Sequence, residues 1–158
     1  MDKKKNKSPL RYPGGKTRAC KVLDIILKEN FNLEDFTFLV SPFFGGGSFE
    51  FFIQNNYELN ILANDKFKPL YNFWNSCKID KVNLCTELKK KIDLIDKNEF
   101  NNLRENIMNE ENELNQSIMY FIILLGVTRK LMLLVNKKPR QMLGIYNYLP
   151  LRPHLEAV

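Results

Sequence analysis

No two prolines adjoin in this sequence; the seven stand apart, at positions 9, 13, 42, 69, 139, 150 and 153. Any active-site motif built on a Pro-Pro dipeptide is therefore absent from these residues. Long apolar runs are missing too. The longest, Ile118 to Val127, is broken by Thr128-Arg129-Lys130, well short of the ~20 residues a spanning helix needs, so no membrane segment is expected. The basic first residues lead into no apolar core of the kind a secretory leader carries, and an intracellular location is expected. Cysteine is scarce: Cys20, Cys77 and Cys85 are odd in number and form no CxxC pair. That argues for reduced thiols and against a disulfide framework or a structural zinc site. The one histidine, His154, has no metal-ligand partner at a telling spacing and is read as a surface residue.

What is present suits a globular chain. Its 158 residues are 44% hydrophobic and 27% charged, enough for one domain that buries about two-thirds of its unfolded surface. The net charge of +6 is unevenly placed. Residues 1 to 21 carry eight Lys or Arg against Asp2 alone, residues 22 to 125 carry ten basic against sixteen acidic, and residues 126 to 158 carry six basic against Glu156. Two basic ends flank an acidic middle, and a polyanion would be drawn to those ends if they share a face. For residues 1 to 7 the expected account is a frayed, solubilising amino terminus.

Ser8-Pro-Leu-Arg-Tyr-Pro-Gly-Gly-Lys16 is rich in breakers and predicts a loop. Thr17 is expected to cap a helix whose apolar stripe is Ala19, Val22, Leu23, Ile26 and Leu27. Phe-Thr-Phe-Leu-Val, residues 36 to 40, reads as a buried strand that ends at Pro42. The three glycines 45 to 47 follow, then Ser48 as the expected cap of a second helix reaching about Asn56, and Asn60 to Ala63 as a second strand. Strand, glycine turn, helix, strand is the βαβ unit of a parallel sheet. Between Lys78 and Leu125 the period becomes helical, through Val82, Cys85, Leu88, Ile92 and Ile95, then Phe100, Leu103 and Ile107, then Leu114, Ile118, Phe121, Ile122 and Leu125. Two or three amphipathic helices are expected there. Leu131 to Val135 fits strand or helix equally.

A backbone without Cβ atoms at the carboxyl end of a parallel strand lets a ligand come close. Asp65 follows Gly45 by twenty residues and ends the next strand, where an acid accepts hydrogen bonds from ribose hydroxyls in such folds. The dinucleotide fingerprint is incomplete, because its third glycine would fall on Glu50. A carboxylate in the first helical turn would repel a pyrophosphate, which favours a nucleoside cofactor without phosphates; S-adenosylmethionine, with a ribose and a cationic sulfonium, meets that description. The alternative is a tight turn with Asp65 as a helix cap. Gly-Lys-Thr at 15 to 17 imitates a phosphate-binding P-loop, but Leu10 stands where its first glycine is needed and no apolar strand precedes it.

Three blocks, Leu10-Arg-Tyr-Pro-Gly-Gly-Lys-Thr-Arg18, Ser41-Pro-Phe-Phe-Gly-Gly-Gly-Ser-Phe-Glu50 and Ala63-Asn-Asp-Lys-Phe-Lys-Pro-Leu-Tyr-Asn-Phe-Trp74, in this order and spacing resemble the Dam-like class of DNA adenine-N6 methyltransferases. The resemblance is firm over residues 8 to 75 and weaker at Ser117 to Ile123. It implies an α/β, Rossmann-like S-adenosylmethionine-dependent fold, here with an incomplete sheet and a helical insertion. It also implies S-adenosylmethionine as cofactor, double-stranded DNA as partner and methyl transfer to the adenine amino group. By the same resemblance Tyr12, Gly14, Gly15 and Lys16 form one wall of the cofactor site, Pro42, Phe43, Gly45 and Gly47 the cofactor turn, and Asp65 the ribose-binding acid. Phe67 either flanks the adenine or belongs to the core.

Two departures stand out. Such enzymes often carry an acid before the proline of the glycine turn, where this chain has Ser41; a partner for the methionyl amino group or for Lys16 is lost. They also transfer the methyl with an Asp/Asn-Pro-Pro-aromatic motif that holds a flipped adenine, and no residue here can be assigned that catalytic role. The chain is therefore expected to be a fragment or one part of a split enzyme, completed by another chain, or a binding module without the chemistry. The expected organisation is a basic terminus 1–7, a cofactor-binding α/β part 8–77, and a helical and basic segment 78–158 that begins the target-recognition region. In it Arg129, Lys130, Lys137, Lys138, Arg140 and Arg152 are available to phosphates, and Tyr146 and Tyr148 to sugar or bases. A solvated basic surface is the competing account of that tail.

Overall fold

A computed structural model describes residues 7–128 and the strand at 155–157. It divides the chain into two compact units, Met1–Asp65 with Tyr148–Val158, and Lys66–Asn147.

The first unit opens with helix α1 (Cys20–Asn30), a single 3-10 turn (Leu33–Asp35), strand β1 (Phe38–Ser41), helix α2 (Ser48–Tyr57) and strand β2 (Asn60–Ala63). β1 and β2 pair in parallel, Phe38 opposite Asn60 through Ser41 opposite Ala63, so the predicted βαβ unit is formed. Strand β3 (Leu155–Ala157) adds to the other edge of β2, also in parallel, giving the order β1-β2-β3. One face of the sheet is covered. Ser41 and Ile61 are buried on it, α2 packs on β2 with Phe51 and Ile53 buried, and α1 packs on α2. On the opposite face Phe38 and Val40 are 52% and 56% exposed.

Local physics shifts several expected boundaries. Thr17 does not cap α1; the helix starts at Cys20 after Ala19, with no side-chain cap. α1 also turns a different stripe inward. Cys20 is buried and Leu23, Asp24 and Leu27 are half-buried, whereas Val22, Ile25 and Ile26 face out. Asp24 belongs to the inner stripe because its carboxylate accepts a hydrogen bond from the Tyr57 hydroxyl of α2 and pairs with Lys28 at 3.2 Å. Ser48 is the first helical residue of α2, not its cap; the cap is Gly47, at φ 66°, a left-handed conformation that glycine adopts without the Cβ penalty.

The second unit is helical: α3 (Lys68–Ile79), α4 (Lys81–Ile92), α5 (Lys97–Asn106) and α6 (Glu113–Thr128). α3 lies where no helix was expected. Pro69 sits in its first turn, where a missing N–H costs nothing. The Asp80 and Asp96 side chains cap α4 and α5 by accepting from the Asn83 and Glu99 amides at 3.1 and 2.8 Å. α6 is the central element, and its Phe121 stacks on Phe73 of α3 with ring centroids 5.6 Å apart. Val82, placed on the apolar stripe of α4 by its spacing, is 60% exposed, while Leu84, Cys85 and Leu88 are buried. A polar seam runs through this core. Asn72 donates to Gln116 Oε1 at 2.7 Å, Gln116 Nε2 donates to the Ile107 carbonyl at 2.8 Å, and the Ser76 and Ser117 hydroxyls pair at 2.9 Å. Among the described residues no helix is long and apolar enough to cross a membrane.

Candidate functional site

The carboxyl ends of β1 and β2 are tied together by the turn between β1 and α2. The Asn64 amide donates to the Ser41 carbonyl at 2.9 Å and the Phe44 amide donates back to the Asn64 carbonyl at 2.9 Å. Residues 42 to 47 are thereby held over the end of β2. Within them Gly45 and Gly47 have φ of 54° and 66°. The Gly45 amide donates to Asp65 Oδ2 at 2.9 Å. Glycine turn and acid thus meet in one place.

The close approach these glycines permit is that of Tyr12. A Cβ on Gly46 would lie 2.6 Å from the Tyr12 Cβ, and one on Gly45 3.2 Å from its ring. Gly47 serves the core instead: a Cβ there would fall 2.6 Å from the ring of buried Phe44, which packs edge-on against Phe51. The bare backbone is therefore occupied by the chain's own aromatic rings, a tertiary cause for glycine where a ligand was expected. Burial raises the Tyr12 phenol, and the nearby Asp65 charge raises it further. Tyr12, Gly45 and Asp65 form one cluster.

The segment after Tyr12 is a turn with Pro13 and Gly14 at its centre, closed by the Gly15 amide donating to the Tyr12 carbonyl at 3.0 Å; Gly14 has φ 77°. Proline followed by a residue of positive φ is the pattern of a type II turn. It sets Gly15 against the start of α2, where a Cβ would be 3.7 Å from Ser48 Oγ. Lys16 is exposed, and its ammonium donates to the Gly14 carbonyl at 3.2 Å. Cys20 ties the same loop to α2, its thiol directed at the Lys16 carbonyl at 3.2 Å and the Ser48 carbonyl at 3.7 Å. Burial pushes this thiol up, and the Glu50 carboxylate adds to the shift.

Pro42 and Phe43 are exposed at the rim of the turn, Phe43 by 82%. Ser41 is buried and donates to Glu50 Oε1 at 2.7 Å, a pairing that nothing in the local sequence pattern announces. Phe67 belongs to the second unit, where its ring meets Tyr120 edge-on at 5.9 Å. Arg129, Lys130, Lys137, Lys138, Arg140, Tyr146, Tyr148 and Arg152 lie outside the described residues.

A parallel βαβ unit whose glycine turn is closed by the acid ending its second strand has the layout of nucleoside-binding α/β units. The family model of the D12 class N6 adenine-specific DNA methyltransferases matches residues 12–149, and the chain belongs to that family. The match begins at Tyr12, the residue seated on the glycines. No individual curated protein matches the chain.

Proposed function

We propose that this chain carries the S-adenosylmethionine-binding part of a site-specific DNA adenine-N6 methyltransferase, on a Rossmann-like fold with an incomplete sheet and a helical insertion. The observation that carries the reading is the Asp65 carboxylate held by the Gly45 amide beside Tyr12, within a chain of this family. A fixed carboxylate at the end of β2 suits a ribose diol, and Glu50 in the first turn of α2 disfavours a phosphate there, so the residues fit a nucleoside that ends in positive charge. Tyr12, Gly14, Gly15 and Lys16 supply one wall, Pro42, Phe43, Gly45 and Gly47 the turn, and Asp65 the acceptor for the ribose. The bound cofactor supplies an electrophilic methyl group.

These residues contain no Pro-Pro dipeptide, so the groups that hold the target adenine come from outside them, on a complementing chain or a further segment. Duplex DNA is the proposed partner, met by the basic residues 129 to 140. Calorimetry with S-adenosylmethionine tests the cofactor site: binding by the wild type and its loss in Asp65→Ala are expected, and no binding by a folded wild-type sample overturns the reading. The missing dipeptide also favours a second reading, a cofactor- and DNA-binding module without chemistry. Methyl transfer to duplex DNA after adding a chain that carries an Asp/Asn-Pro-Pro-aromatic motif supports the first; salt-sensitive DNA binding with no transfer supports the second.

A further inference from the structure

At the end of β1 a second carboxylate is held in place. Glu50 reaches back from the first turn of α2, and its Oε1 accepts the hydroxyl of Ser41, the last residue of β1, at 2.7 Å. Ser41 is buried and Glu50 half-buried. Ser41 and Ala63 are register neighbours on adjacent strands, and Asp65 follows Ala63 by two residues. Parallel strands lie ~4.8 Å apart, so two acids stand near neighbouring strand ends, Glu50 held by the Ser41 hydroxyl and Asp65 by the Gly45 amide of the glycine turn.

Glu50 has no basic partner among the described residues. Lys16, on the facing loop, is turned to the Gly14 carbonyl instead. The Ser41 hydroxyl bonds the carboxylate and the Cys20 thiol lies near enough to feel its charge, while the start of α2 adds the partial positive charge of its free amides. A half-buried carboxylate with so little compensation favours a cation over an anion.

We propose that Glu50, oriented by Ser41, is the specificity-determining acid of the site and reads the ammonium at the amino-acid end of the methyl donor, while Asp65 reads the ribose. This rests on the S-adenosylmethionine reading of the site. It also accounts for Ser41 at a position where an acid would otherwise stand on β1: the carboxylate comes from the helix nine residues later, and the serine hydroxyl aims it.

Three probes separate the contributions, measured by calorimetry on the full chain with melting curves to check folding. S-adenosylmethionine carries ammonium and sulfonium, S-adenosylhomocysteine the ammonium alone, and 5′-methylthioadenosine neither. Glu50→Gln is expected to weaken the first two by about 10- to 100-fold, the scale of a lost hydrogen bond to a charged group, and to leave 5′-methylthioadenosine unchanged. Asp65→Asn weakens all three. Ser41→Ala gives the Glu50→Gln pattern at a smaller amplitude, about 3- to 10-fold, and decides the matter if Glu50→Gln does not fold. Loss confined to S-adenosylmethionine assigns Glu50 to the sulfonium and overturns the proposal. Equal loss for all three probes, or none, reduces Glu50 to scaffold and overturns it while the cofactor reading stands. A wild type that binds none of the three overturns the cofactor reading and this proposal together.

Discussion

The Asp65 carboxylate accepts a hydrogen bond from the Gly45 amide at 2.9 Å across twenty residues of chain. One side chain thus fastens the turn to the end of β2, and the same side chain is the proposed acceptor for the ribose. Asp65→Ala removes both roles. It should abolish detectable S-adenosylmethionine binding in calorimetry and lower the unfolding free energy by about 1–2 kcal/mol, the scale of a charge-assisted hydrogen bond. Unchanged affinity would break the cofactor assignment.

Gly46→Ala places a methyl group 2.6 Å from the Tyr12 Cβ. The turn is bonded on both sides, so the clash falls on Tyr12, and a loss of about 1–3 kcal/mol is expected in chemical denaturation. Tyr12→Ala removes the obstructing ring but not its Cβ. A Gly46→Ala/Tyr12→Gly pair should therefore lose less than the sum of its single variants, whereas strict additivity would mean the two residues do not touch.

Asp24, Tyr57 and Lys28 clip α1 to α2. The Tyr57 hydroxyl, followed by Lys28, lowers the Asp24 carboxyl from its ordinary value. A depressed folded-state pKa contributes stability that is fully present above the unfolded pKa, about 4, and is lost as pH falls through the folded one. Burial and then the Asp24 hydrogen bond raise the Tyr57 phenol, so its contribution is fully present below its unfolded pKa of about 10 and declines at higher pH. Tyr57→Phe should lower the melting temperature at pH 7 and flatten the acid limb below about pH 4. An acid limb identical to that of the wild type counts against the clip.

Gln116 is 1% exposed and bonds both Asn72 and the Ile107 carbonyl. Gln116→Leu strands a buried amide and a carbonyl, and a cost of about 2–4 kcal/mol is expected. Adding Asn72→Leu removes one stranded group and should recover part of the loss, read as a rise in denaturant midpoint. No recovery would show that packing, rather than polar pairing, sets the cost.

Replacing Lys137, Lys138 and Arg140 by Gln should weaken duplex binding to all sequences alike. The log–log salt slope should flatten by about 0.9 for each phosphate that is no longer neutralised. Fluorescence anisotropy across a salt series reads both quantities, and an unchanged slope would remove these residues from the interface.

The βαβ unit was legible because its signals are local: a short aromatic and β-branched run, three glycines, a second apolar run and an acid at its end. β2 matches its expected span, and β1 differs from its own by one or two residues. α1 was legible as a helix but not in its orientation. Its apolar residues cover more than one face, and the buried stripe was chosen by Asp24 finding Tyr57, 33 residues away. α3 escaped notice because Pro69 and the aromatics of its first half read as part of the preceding motif, although a proline in a first turn is compatible with a helix start.

By itself the sequence determined the two helices and two strands between Cys20 and Ala63, though not the 3-10 turn at 33–35 or strand β3, and it determined the twenty-residue step from glycine turn to acid and three blocks that mark the family. Those depend on neighbours in the chain, whose geometry is set by φ, ψ and a strand's rise. Only the tertiary structure decided that Tyr12 lies on Gly45 and Gly46, that Gly47 makes room for Phe44, and that Glu50 returns to Ser41. Each of these is a packing or hydrogen-bond choice among residues brought together by the crossover from β1 to β2, and no periodicity in the chain encodes which side chain arrives there.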